Sequence, residues 1–134
     1  MRPWMQYLIA FVVLCHGFVY VRIGPGATRL VKGWSGQSWL LGRAVTGDRL
    51  RPLVATLHVV AGVLILACGV AIALSPSLAE WWRPLAIAGA VAGVAAFFVF
   101  WDGQTRLLFE EGGAGAAISV FLLAAAIAFP RAFA

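Results

Sequence analysis

Two histidines hold the most promising chemistry in this chain. His16 and His58 both fall inside long apolar runs. An imidazole in such surroundings can ligate a haem or another metal, relay a proton, contact a quinone, or hydrogen-bond a neighbouring helix. The last role is the simplest. His16 lies about six residues before the end of its run, and His58 about six residues after the start of the next. Antiparallel neighbours would place the two at similar depth. A redox role would use them as axial ligands of haem b, or as contacts to a quinone. His16 shares a helical face with Tyr20, and His58 shares one with Gly62 and Gly69.

A second group of polar residues gathers at the same end of the runs. Asp102, Arg106, Glu110 and Glu111 lie between the third and fourth runs and would form a polar cytoplasmic mouth with the histidines. The competing reading is ordinary: acids just before a helix stabilise its N-terminus, and loop charges belong in water. Catalytic signatures are absent, with no HExxH, no phosphate loop, no GxSxG and no glycine fingerprint between strand and helix. No catalytic residue is assigned, and a non-enzymatic role is expected. Cys15 and Cys68 sit in separate apolar runs without a CxxC pair, so neither a metal knuckle nor a disulfide framework is expected.

The elements that position these residues follow from composition. Of the 134 residues, 63% are hydrophobic and 11% charged. A soluble domain of this size cannot hide that much apolar surface from water, so lipid must solvate most of it. The expected fold is all-α, a single-domain integral membrane four-helix bundle. Its helices are expected at about 4–23, 52–74, 84–101 and 112–129. Each run approaches the ~20 residues that cross a bilayer, and backbone groups in lipid must bond within a helix. Gly24-Pro25-Gly26 should stop the first helix. Pro52 and Pro84 should each stand at a helix start, where the missing N–H costs nothing. The stretch 27–51 mixes Leu30, Trp34, Trp39 and Leu41 with Arg29, Lys32 and Arg43. It should form one or two short amphipathic helices on the membrane surface. Small residues mark where helices approach closely: Gly62 and Gly69, the Gly89–Gly93 pair, and Gly115 with Ser119.

Charge sets orientation. Six of the ten basic residues lie between Arg22 and Arg51, and Arg106 is expected on the same side. Arg2, Arg83 and Arg131 face the other way. The positive-inside rule then puts both termini outside the cytoplasm. Trp residues in the basic stretch are expected at a bilayer interface, so nucleic acid is excluded as a partner. Richness in alanine, glycine and arginine fits a high-GC bacterium and its inner membrane.

His16-Gly17 in the first run, Trp82-Arg83-Pro84-Leu85-Ala86 opening the third and Trp101-Asp102-Gly103 closing it resemble a group of short bacterial four-helix membrane proteins. The layout is also similar to DoxX-like proteins. That resemblance implies a small subunit working beside quinone-linked oxidoreductases. The leading functional expectation is therefore an accessory subunit of a larger membrane complex, partnered by lipid and by other subunits or its own copies. A redox subunit binding haem b or quinone through His16 and His58 is the alternative, and an oligomeric channel or exporter comes third.

Overall fold

The computed structural model describes residues 2–45, 47–130 and 132–133. Arg131, used in the orientation count, lies outside them. The described chain is helical apart from loops and a single bridge between Ser38 and Gly42. Helix α1 spans Pro3–Ile23, α2 Ala27–Leu30, α3 Gly47–Ala73, α4 Ala79–Phe100 and α5 Gly113–Ala128. The long helices run up and down in turn. α3 is central and packs on both α1 and α4, while α5 packs on α4.

Three of these helices are long and apolar enough to cross a membrane: α1, α3 and α4, with mean hydropathies of 1.7, 2.4 and 1.8. α5 is apolar but has 16 residues. Their outward faces carry bare aromatics, among them Phe11, Phe18 and Phe121. An exposed apolar surface of this extent would drive a protein in water to associate, whereas lipid solvates it.

The buried side of α3 reads Leu50, Val54, His58, Ala61, Ile65, Cys68 and Ile72, a stripe at spacings of three and four. Such spacing keeps one face toward a neighbour. His58 is therefore drawn into the bundle by its position in an apolar stripe. Close approach comes from glycine. A Cβ on Gly17 would stand 2.8 Å from the Leu66 backbone nitrogen, and one on Gly62 2.9 Å from the Gly17 carbonyl. One on Gly69 would meet Leu14, and one on Gly89 would meet Ile65 at 2.8 Å. α1 thus lies nearly backbone to backbone on α3.

α1 stops at Ile23, directly before Gly24-Pro25-Gly26, and the glycine-proline segment forms a 3₁₀ turn that leads into the four residues of α2. The expectation for the stretch that follows needs correction. Beyond α2 the expected surface helices do not form. Residues 31–45 are turns and bends, with Gly33, Gly36 and Gly42 at positive φ. A left-handed conformation at three points breaks any helical run. The segment folds down as a plug on the bundle end. The Trp34 indole N–H donates to the Phe100 carbonyl at 3.1 Å, and the Trp39 backbone N–H donates to the Trp101 carbonyl at 2.7 Å. Val31, Leu50, Val54, Val99, Phe100 and Leu107 form the small apolar core beneath it.

α3 and α4 also begin about a turn earlier than expected, so Pro52 and Pro84 lie inside them. Each proline deprives the carbonyl four residues earlier of a partner. Those carbonyls belong to Asp48 and Glu80, both exposed, where water or headgroups can satisfy them.

At the opposite end of the bundle, the Gln6 amide donates to the Ile72 carbonyl at 2.8 Å. Arg83 donates from Nε to the Ala126 carbonyl at 3.2 Å, a cation on the last turn of α5. The Phe133 ring packs edge-on against Trp82.

Candidate functional site

His16 is carried inward by α1 and His58 by α3, and both are buried. They do not meet. The Tyr20 ring, also from α1, stands against each of them: edge-on to His16 at 5.0 Å between centroids, and tilted against His58 at 5.5 Å. His16 Nε2 lies 3.2 Å from Ser119 Oγ on α5, and the Tyr20 hydroxyl lies 3.4 Å from the same oxygen. Ser119 is fully buried, and Gly93 on α4 makes the space for it. A Cβ at Gly93 would stand 2.7 Å from Ser119 Oγ and 2.9 Å from the Tyr20 oxygen. One at Gly115 would meet Tyr20 at an ordinary 3.4 Å. So Gly93, Gly115 and Ser119 serve one polar cluster in which three helices converge.

His58 hydrogen-bonds through Nδ1 to the Val54 carbonyl, 2.8 Å away in its own helix. A carbonyl only accepts, so this nitrogen carries the proton and Nε2 is left as an acceptor in the neutral ring. Gly24 permits the arrangement, since a Cβ there would overlap the His58 Cβ.

These contacts test the haem expectation. Axial ligation needs two imidazole nitrogens facing each other across an open slot. Here the phenol ring fills that space, and His16 Nε2 is engaged by Ser119. The residues do not fit a haem between His16 and His58. Among the described residues no group of three or more His, Cys, Asp or Glu could hold a metal ion.

The polar mouth is partly assembled. Glu110 and Glu111 line a cavity of about 240 Å³ together with His58, Tyr20, Phe97 and Phe100. Val19, Phe109, Glu110 and Ala114 form its exposed outer side, and Tyr20, His58, Phe97, Phe100 and Glu111 its buried inner side. Glu111 is fully buried. Its Oε2 accepts the Asp102 backbone N–H at 3.2 Å, while its Oε1 has no partner among the described residues. Burial pushes the Glu111 carboxyl up to about 7, and the nearby Asp102 and Glu110 charges push the same way. The single N–H bond opposes this without outweighing it.

Asp102 has the opposite fate. Partial burial raises its pKa, but bonds from the backbone of Gln104 and Ser35 and from the Gln104 amide outweigh that and hold it below the usual range. Asp102 is thus a structural knot between the plug and the α4–α5 turn. Arg106 does not join the mouth: it donates from Nε and Nη2 to Gln104 Oε1 at 3.0 and 2.8 Å. Comparison with family models, with curated proteins and with solved structures finds no match.

The arrangement can do two things chemically. It can hold a proton on Glu111 near neutral pH, and it can offer an aromatic, acceptor-rich wall to a small molecule. Spacing alone placed Tyr20 beside His16 but gave no reason to set it between the histidines. Phe97 and Phe100 look like membrane filler in the sequence, whereas the structure fixes Phe100 against Trp34 and His58, and Phe97 against Trp101.

Proposed function

We propose that this chain is a four-helix protein of a bacterial inner membrane, with both termini outside. It takes up a small ligand from the cytoplasmic side in the cavity of Tyr20, His58 and Glu111. Three membrane-length helices, a fourth apolar helix antiparallel to α4, and basic residues crowded at the plug end support this placement. One observation carries the ligand reading. The buried carboxyl Glu111 lines a cavity and leaves an oxygen unpartnered. A buried polar atom of that kind is costly unless something meets it. At about 240 Å³ the cavity suits a fragment-sized molecule, below the usual range for drug-sized ligands.

The accessory-subunit reading has its own support in α5. Only Ala116, Ser119 and Ala126 of that helix are buried, and Ile118, Phe121 and Ile127 face outward. A partner subunit could pack there, as the DoxX-like layout would suggest.

Native mass spectrometry of the tagged protein, released gently from its own membrane, tests both readings. A small-molecule adduct on the wild type, lost when Ala114→Trp fills the outer wall, is the expected result. A stoichiometric protein partner with no adduct would transfer the function to the accessory role. The bare chain alone would sink both.

A further inference from the structure

Taking the cavity as a ligand site, its wall further specifies the charge of what it holds. The side chains lining it that are polar are the Glu110 and Glu111 acids, Tyr20 and His58, whose Nδ1 proton is already committed to Val54. Against them stand the first-turn backbone N–H groups of Ala114 and Gly115 at the start of α5. The Tyr20 hydroxyl lies beside Ser119. Among the described residues no lysine or arginine lines the cavity. An anion would find two acids and no cation to receive it. A quinone carbonyl would find the Tyr20 hydroxyl, a protonated Glu111 and the first-turn N–H groups of α5 as donors, but no side chain with a fixed positive charge.

The remaining surface is aromatic, with Tyr20, Phe97, Phe100 and Phe109 around the acid. Ring faces carry negative electrostatic potential and attract a cation held within about 6 Å. A carboxylate beside such faces, sheltered from water, suits a positive charge that is itself weakly hydrated.

We propose that this cavity binds a small organic cation, an aromatic or alkyl ammonium, with Glu111 as its counter-ion and the surrounding rings as its cage. Glu111, fully buried and with a free oxygen, is the anchoring group and has to turn that oxygen toward the ligand; the cavity volume suits about one ring with a small head group. The rings favour a weakly hydrated cation that carries its charge on carbon-bound nitrogen over a strongly hydrated inorganic ion.

The test is isothermal titration of the full-length protein in phosphatidylcholine nanodiscs at pH 8, with matched protein-free discs subtracted. The probes are benzyltrimethylammonium, phenylacetate, and the neutral ring 2,3-dimethoxy-5-methylbenzoquinone. The expected result is saturable binding of the ammonium alone. Glu111→Gln, which keeps an oxygen for the Asp102 N–H, should weaken it roughly tenfold to a hundredfold, the range for losing a charge-assisted contact. Ala114→Trp should abolish it. Binding of the quinone ring instead, still blocked by Ala114→Trp, would overturn the cation assignment while leaving the cavity as a ligand site. Ammonium binding untouched by Glu111→Gln would also overturn the assignment. Failure of every probe, or binding indifferent to Ala114→Trp, would remove both the cation and the cavity reading.

Discussion

Glu111 and Asp102 show how neighbouring carboxyls are driven apart by their surroundings. Asp102 collects several N–H donors and ionises readily, whereas Glu111 collects one and is pushed up to about 7. The consequence for stability has a definite sign. Between its unfolded value of 4.5 and its folded value of about 7, the native protein holds a proton on Glu111 that the unfolded chain has released. Stability from this group is therefore full below pH 4.5 and is lost as pH rises through 7. The melting temperature in nanodiscs should fall by roughly 3–6 °C more for wild type than for Glu111→Gln between pH 5 and pH 8. The difference between the two proteins isolates this carboxyl from the other groups near it: Asp102, Glu110, His58 and Tyr20. Equal slopes would show that Glu111 is ionised throughout. Little of this was legible beforehand. Glu110 and Glu111 are equivalent in sequence, and the one that turns inward is Glu111, next to the left-handed Gly112 with φ +99. Periodicity does not report such a backbone choice.

At the scale of elements, hydrophobic runs located all the long helices because a run of that length has only one stable backbone in lipid. Their starts were misplaced at Pro52 and Pro84, since proline signals a helix end only where the orphaned carbonyl has no other partner. The 27–51 stretch was misread for a different reason. Trp34 and Trp39 suit a lipid interface and a protein surface equally well, and the carbonyls of Phe100 and Trp101 that claim them belong to a distant part of the chain. Helix contacts offer a sharper test. Gly24→Ala would drive a methyl into the stem of His58, which has no rotamer that moves its Cβ away. Overpacking of this kind costs about 1–3 kcal/mol, seen as a clear drop in melting temperature. Gly115→Ala, with Tyr20 at 3.4 Å, should leave the melting temperature nearly unchanged. Equal sensitivity at the two positions would show that the turn after α1 does not approach α3 at His58 as described.

For the molecule as a whole, the lengths of the helices matter as much as their packing. α3 has 27 residues and α5 has 16. At ~1.5 Å per residue α5 reaches about 24 Å, short of a hydrocarbon layer of about 30 Å. In the proposed four-helix arrangement, the bilayer must thin on the α5 flank alone. The protein should therefore melt highest in phosphatidylcholines of about 14-carbon chains and lower in 18-carbon ones, since mismatch costs fractions of a kcal/mol per Å. A flat response to chain length would place α5 out of the bilayer. Thinning on one flank has a further effect. Lipid around a single copy is strained along one edge only, and two copies that bring those edges together share one deformed patch instead of keeping two. The membrane would then supply an attraction between copies through lipid elasticity, with no protein contact needed to begin it.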